Sequence, residues 1–126
     1  MSDDERAEQK IPALVNRYVD AMNDEDIDAY LECMKLDEVT LEKNQSSLKI
    51  MFEVYDLKTS VKSIDVMSID AANGTGTVRV ITSITNQSKT AYQDCENTVD
   101  FQLVYDKDTD KWYLGTSNLV NTTYTK

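Results

Sequence analysis

VDFQLVYDKDTDKWYLGTS, residues 99–117, alternates bulky and polar side chains on either side of a short charged segment. Val99, Phe101, Leu103 and Tyr105 recur at every second position, as do Trp112, Leu114, Thr116 and Asn118. A two-residue rhythm puts each set on one face of a β-strand. With residues 106–111 as a hairpin loop, Tyr105 pairs with Trp112, Leu103 with Leu114, Phe101 with Thr116 and Val99 with Asn118. The single tryptophan therefore points inward, where its indole N–H needs an acceptor. Val104 and Tyr113 fall on the opposite face of this hairpin.

Working upstream, the segment from residue 60 is rich in Val, Ile and Thr, and turn chemistry interrupts it at intervals. Val78, Val80, Thr82 and Ile84 alternate with Thr77, Arg79, Ile81 and Ser83, so Ile81 joins Val104 and Tyr113 on the outer face. A strand over about 60–71 changes phase, with Ile64 and Val66 on one face and Met67 and Ile69 on the other. A bulge or bend near Val66 reconciles the two. Asn73-Gly74 marks a hairpin turn, because both residues tolerate positive φ. A polar connection covers roughly 86–95.

Before residue 57 the period is helical. Ile11, Leu14, Val15, Tyr18, Val19 and Met22 form one stripe, with Pro12 expected in the first helical turn and residues 1–9 left as a frayed acidic terminus. Asp24 is expected to cap a short second helix carrying Ile27, Tyr30, Leu31 and Met34. A third stripe, Leu41, Leu48, Met51, Phe52 and Tyr55, spans 41–56, with Thr40 or Asn44 as its cap. The fold class read from this order is α+β: three N-terminal helices packed on a bent four-stranded antiparallel sheet, in one domain over residues 1–126.

The composition excludes several function classes. The chain has 126 residues and a net charge of −10; residues 1–42 hold 13 acidic and 4 basic side chains, and residues 43–126 hold 10 and 9. With no basic stripe, nucleic-acid partners are excluded, and anionic membrane surfaces are disfavoured. No membrane-spanning segment or signal peptide is read, so the chain is expected in the cytoplasm, an exported domain stripped of its leader being the alternative. Cys33 and Cys95 lack metal-ligand spacing and are expected as buried thiols, with one disulfide as the alternative.

No histidine is present. Imidazole-based metal sites and Ser-His-Asp catalysis are therefore ruled out. Asp106, Asp108 and Asp110 begin like a calcium loop, but Lys111 stands where glycine is needed and Ser117 where a bidentate glutamate is needed. No metal or cofactor is expected, and no catalytic residue can be assigned.

The segments IPALVNRYVDAMNDEDIDAYLECM, LKIMFEVYDL and VDFQLVYDKDTDKWYLGTS together resemble the nuclear transport factor 2-like superfamily, whose fold is also described as cystatin-like. The likeness covers about residues 10–122. It implies a cone in which the sheet wraps the helices around a cavity, and a homodimer through the outer face of the sheet. On the residue phases above, the pocket is expected to involve Tyr18, Tyr30, Phe52, Phe101, Trp112, Thr116 and Asn118, and the dimer face Ile81, Val104 and Tyr113. The function this supports is a non-catalytic module binding a small apolar ligand or a protein. The alternatives are a ketosteroid isomerase-like enzyme using a buried carboxylate and a tyrosine, and a purely structural dimerisation domain.

Overall fold

The computed structural model describes residues 2–35, 37–54, 57–86 and 94–124, with the side chain of Val54 excepted. Tyr55 and most of the polar connection expected at 86–95 lie outside the described residues.

Three helices precede four strands: α1 (Asp3–Asn23), α2 (Ile27–Glu32), α3 (Glu38–Val54), β1 (Leu57–Asp70), β2 (Thr75–Asn86), β3 (Cys95–Asp106) and β4 (Lys111–Tyr124). The sheet is antiparallel with strand order β1-β2-β3-β4, the α+β arrangement expected from the sequence. No helix among the described residues is long and apolar enough to cross a membrane.

The first helix starts earlier than its apolar stripe suggests, so residues 3–9 are helical and not frayed. Ser2 caps it by accepting from the Glu5 N–H at 3.2 Å, and Asp3, Asp4 and Glu5 sit at its positive end. Both effects favour a helix start. Asp4 also accepts from the Ala71 N–H at 2.9 Å, which ties the helix start to the β1–β2 turn. Pro12 consequently lies in the helix interior, not in its first turn. An interior proline costs about 3 kcal/mol. Burial of the neighbouring Ala7, Ile11, Leu14 and Val15 offsets this, while Pro12 itself faces solvent.

Two caps differ from the sequence reading. Asp24 ends α1, and Asp26 caps α2 by accepting from Ala29 N–H at 3.1 Å. Asp37 precedes α3 and accepts from the Thr40 N–H at 2.8 Å, so the helix begins at Glu38 and not after Thr40 or Asn44. That hydrogen bond holds the Asp37 carboxyl below its ordinary range.

In the sheet, register shifts fall between Val61 and Ser63 and between Val66 and Ser68 of β1. The second makes Met67 the extra residue, half exposed, and returns Ile69 to the core face with Ile64 and Val66. Only Gly74 of the Asn73-Gly74 pair has positive φ (68°), because the connection is four residues long and not two.

The last hairpin keeps the pairs Tyr105↔Trp112 and Leu103↔Leu114. Beyond Leu114 the register slips: Phe101 faces Ser117 and Val99 faces Leu119, not Thr116 and Asn118. The cause is one extra residue on β4 around Gly115, which packs against the Gln102 carbonyl, where a Cβ would stand 3.3 Å away.

The core lies between α1 and the inner sheet face, with Ile11, Val15, Val78, Val80, Leu103 and Leu114 its most completely buried side chains. Each stabilises the fold by roughly 1.5–3 kcal/mol. Cys33 and Cys95 are buried and form no disulfide with each other. Burial pushes the Cys33 thiol above its usual range.

The residues after α2 close part of the sheet edge. Leu114 N–H donates to the Cys33 carbonyl at 2.7 Å, and Lys35 N–H donates to the Leu114 carbonyl at 2.9 Å. Lys35 Nζ then reaches Asp106 at 2.6 Å.

Candidate functional site

Two cavities are built from the ends of α1. They share no lining residue.

The first sits where the C-terminal ends of α1 and α3 meet the start of β1 and the end of β2. It encloses about 130 Å³ and is lined by Met22, Glu25, Met51, Phe52, Leu57, Thr59 and Ile84. Asn23 fixes its geometry: its side-chain amide donates to the Thr59 carbonyl at 2.8 Å, and its oxygen accepts from Thr59 N–H at 2.7 Å. Both backbone groups of Thr59 are thereby satisfied, which lets the strand start be buried against the helix end. The wall is almost entirely hydrocarbon and thioether, the thioethers able to adapt to an irregular guest. Its one carboxylate among the described residues, Glu25, is exposed and sits in a left-handed turn (φ 56°).

The second cavity, about 330 Å³, lies between the first turns of α1 and the tips of the two hairpins. Asp3, Arg6, Ala7, Lys10, Ala71, Tyr105, Asp110 and Trp112 line it. Tyr105 donates its hydroxyl to Asp110, and Tyr105 and Trp112 rings lie 5.4 Å apart between centroids. The hydrogen bond to Asp110 raises the Tyr105 phenol above its ordinary value.

Of the residues expected in one pocket, Phe52 lines the first cavity and Trp112 the second. Tyr18, Tyr30 and Phe101 form a cluster, Tyr18 lying 4.9 Å from Tyr30 and 5.3 Å, edge-on, from Phe101. Burial, with Tyr30 beside it, raises the Tyr18 phenol well above its ordinary value; burial also raises Tyr30. Thr116 and Asn118 are exposed, as are Ser117 and Leu119 beside them on β4, and Asn118 stands opposite Asp100. Met22, Thr59 and Asn23 were not singled out as site residues by the sequence.

Among the described residues, no aspartate or glutamate side chain is fully buried. Thr59 is the only fully buried polar residue among those described. Asp106, from the calcium-like loop, is occupied by Lys35 and by the Asp108 N–H, which lower its titration range. On the outer sheet face, Arg79 holds Asp100 through two hydrogen bonds of 2.8 and 3.0 Å and lowers its carboxyl likewise.

Comparison with known structures supports the fold. An uncharacterised protein with a cystatin-like fold from Caulobacter vibrioides matches with a TM-score of 0.71 at 13% identity, over 92% of this chain and 91% of that one. A ketosteroid isomerase-like protein from Erwinia carotovora atroseptica matches with a TM-score of 0.61 at 17% identity, over 96% and 99%. Bd1075 of Bdellovibrio bacteriovorus matches with a TM-score of 0.70 at 13% identity; the likeness spans 95% of this chain but only 44% of that protein. At such identities the likeness concerns the fold alone, an α+β cone of the cystatin-like kind. No curated protein matches the sequence. A family profile described as "Anti-sigma-I factor RsgI9, C-terminal domain" matches residues 13–125, and the chain belongs to that family.

Proposed function

We propose that this chain is a non-catalytic recognition module, the sensing part of an anti-sigma-type regulator, whose apolar cavity beside Phe52 takes a small apolar ligand. The observation that carries this reading is the wall of that cavity: Met22, Met51, Phe52, Leu57 and Ile84, with its one described carboxylate exposed. Pockets that bind small molecules are concave and mostly apolar, whereas general-base catalysis needs a carboxylate tuned by its surroundings. The family description, the C-terminal domain of an anti-sigma-I factor, supports the regulatory setting of this reading.

Toluene tests the cavity. A ligand that binds only the folded state raises stability by RT ln(1 + [L]/Kd), about 1.4 kcal/mol at tenfold excess over Kd. Toluene should therefore raise the melting temperature of the wild-type chain by several degrees, and Ile84→Phe, which fills the space, should remove the increment. A wild type indifferent to toluene, or an increment that survives the filled cavity, rejects the site.

The same reading includes a homodimer through the outer sheet face. Val104 and Tyr113 are cross-strand partners there, and Ile81 stands opposite Thr98 on the same face, all three partly buried in the single chain. Tyr113→Lys places a charge in that surface and is expected to give a monomer by light scattering after size exclusion. An unchanged mass would discard the interface.

A further inference from the structure

Trp112 is only 7% exposed, yet its indole N–H makes no hydrogen bond among the described residues. No sealed side-chain polar atom among the described residues lacks a partner, so this N–H has to reach an opening. The opening that Trp112 lines is the polar cavity at the start of α1. On the same wall Lys10 projects an ammonium that forms no ion pair among the described residues. The acidic groups of the wall are already engaged, Asp3 with Arg6 at 3.9 Å and Asp110 with the Tyr105 hydroxyl. Lys10 and Trp112 thus bring one cationic group and one neutral N–H to the cavity, beside the apolar surfaces of Ala7, Ala71 and the indole ring.

We propose that this second cavity binds a small monocarboxylate, its carboxylate accepting from the Lys10 ammonium and the Trp112 N–H while its apolar body lies on Ala7, Ala71 and the Trp112 ring. A carboxylate is the acceptor that matches a fixed cation and a fixed N–H at once. A single negative charge suits the site better than a double one, because Asp3 and Asp110 stand on the same wall of a chain carrying −10. At about 330 Å³ the cavity has room for an aryl or short alkyl acid.

Phenylacetate is the probe, followed through the emission of Trp112 and in parallel by calorimetry at low ionic strength. The wild-type chain should give a saturable change at millimolar ligand. Hydrogen bonds to charged groups are worth enough that losing one weakens binding at least about tenfold. Lys10→Met should show that loss, as should the neutral isostere phenylacetamide on the wild type, and Trp112→Phe, read by calorimetry, should bind several-fold more weakly. Ile84→Phe should leave phenylacetate binding unchanged, which separates this site from the apolar cavity. The proposal is overturned if phenylacetate gives no saturable signal, if phenylacetamide binds as tightly, if Lys10→Met binds like the wild type, or if the dianion phenyl phosphate outcompetes the carboxylate.

Discussion

Leu114→Ala should lower the stability of this protein by about 2–5 kcal/mol, the range for emptying a fully buried leucine site. Leu114 is completely buried. It pairs with Leu103 across the last hairpin, packs in the core cluster, and its own backbone carries the two hydrogen bonds that dock Cys33 and Lys35. A cavity at this point has the chain after α2 on one side and the sheet on the other, so neither can collapse into it without dragging the other. The natural control is Leu119→Ala on the same strand: Leu119 is 59% exposed, and its loss should stay within about 0.5 kcal/mol. Urea unfolding measures both. Equal losses would mean that residues 33–35 do not hold the strand as described.

Gly76→Ala should also destabilise, by roughly 1–3 kcal/mol, the cost of forcing an extra group into packed surroundings. The sign is the informative part. Where a glycine adopts ordinary extended backbone in open space, alanine stabilises by about 0.4–1 kcal/mol because it restricts the unfolded chain. Gly76 has no positive φ, so conformation alone would predict a gain. Space decides otherwise: an added Cβ would stand 2.7 Å from the Ser68 carbonyl, 3.1 Å from Ile69 and 3.3 Å from Leu103. The carbonyl belongs to backbone just past the Met67 bulge and cannot swing aside. A stabilised Gly76→Ala variant in thermal melts would contradict that close approach.

The sheet was legible because burial on one face imposes a two-residue rhythm that survives even where propensities are mixed. Trp112, Leu114, Leu103 and Phe101 all proved buried on the strength of that rhythm. What the rhythm cannot carry is an inserted residue. Phase is a running count, so the extra residue near Gly115 shifts every later position; that is why Thr116 and Asn118 were expected opposite Phe101 and Val99, the places taken by Ser117 and Leu119. At Met67 the phase break was itself visible, because apolar residues stand on both sides of it. Near Gly115 the following residues are small and polar and leave no trace of a jump. Helix starts failed for a related reason: Ser2 and the acidic first turn of α1 stabilise a helix without any apolar stripe to announce it. The sites were less legible still. The apolar cavity depends on Asn23 clamping Thr59 across 36 residues of sequence, and no local pattern encodes such a meeting.

The strand order β1-β2-β3-β4 carries a consequence for how the chain assembles. Each strand neighbours the next in sequence, so the sheet can zip from its turns inward through contacts of modest loop-closure entropy. The Met34–Leu114 bridge is of another kind, joining positions 80 residues apart. Such a closure is favourable only after the hairpin carrying Leu114 exists to receive it. Residues 33–35 are therefore expected to dock only once the hairpin carrying Leu114 has formed.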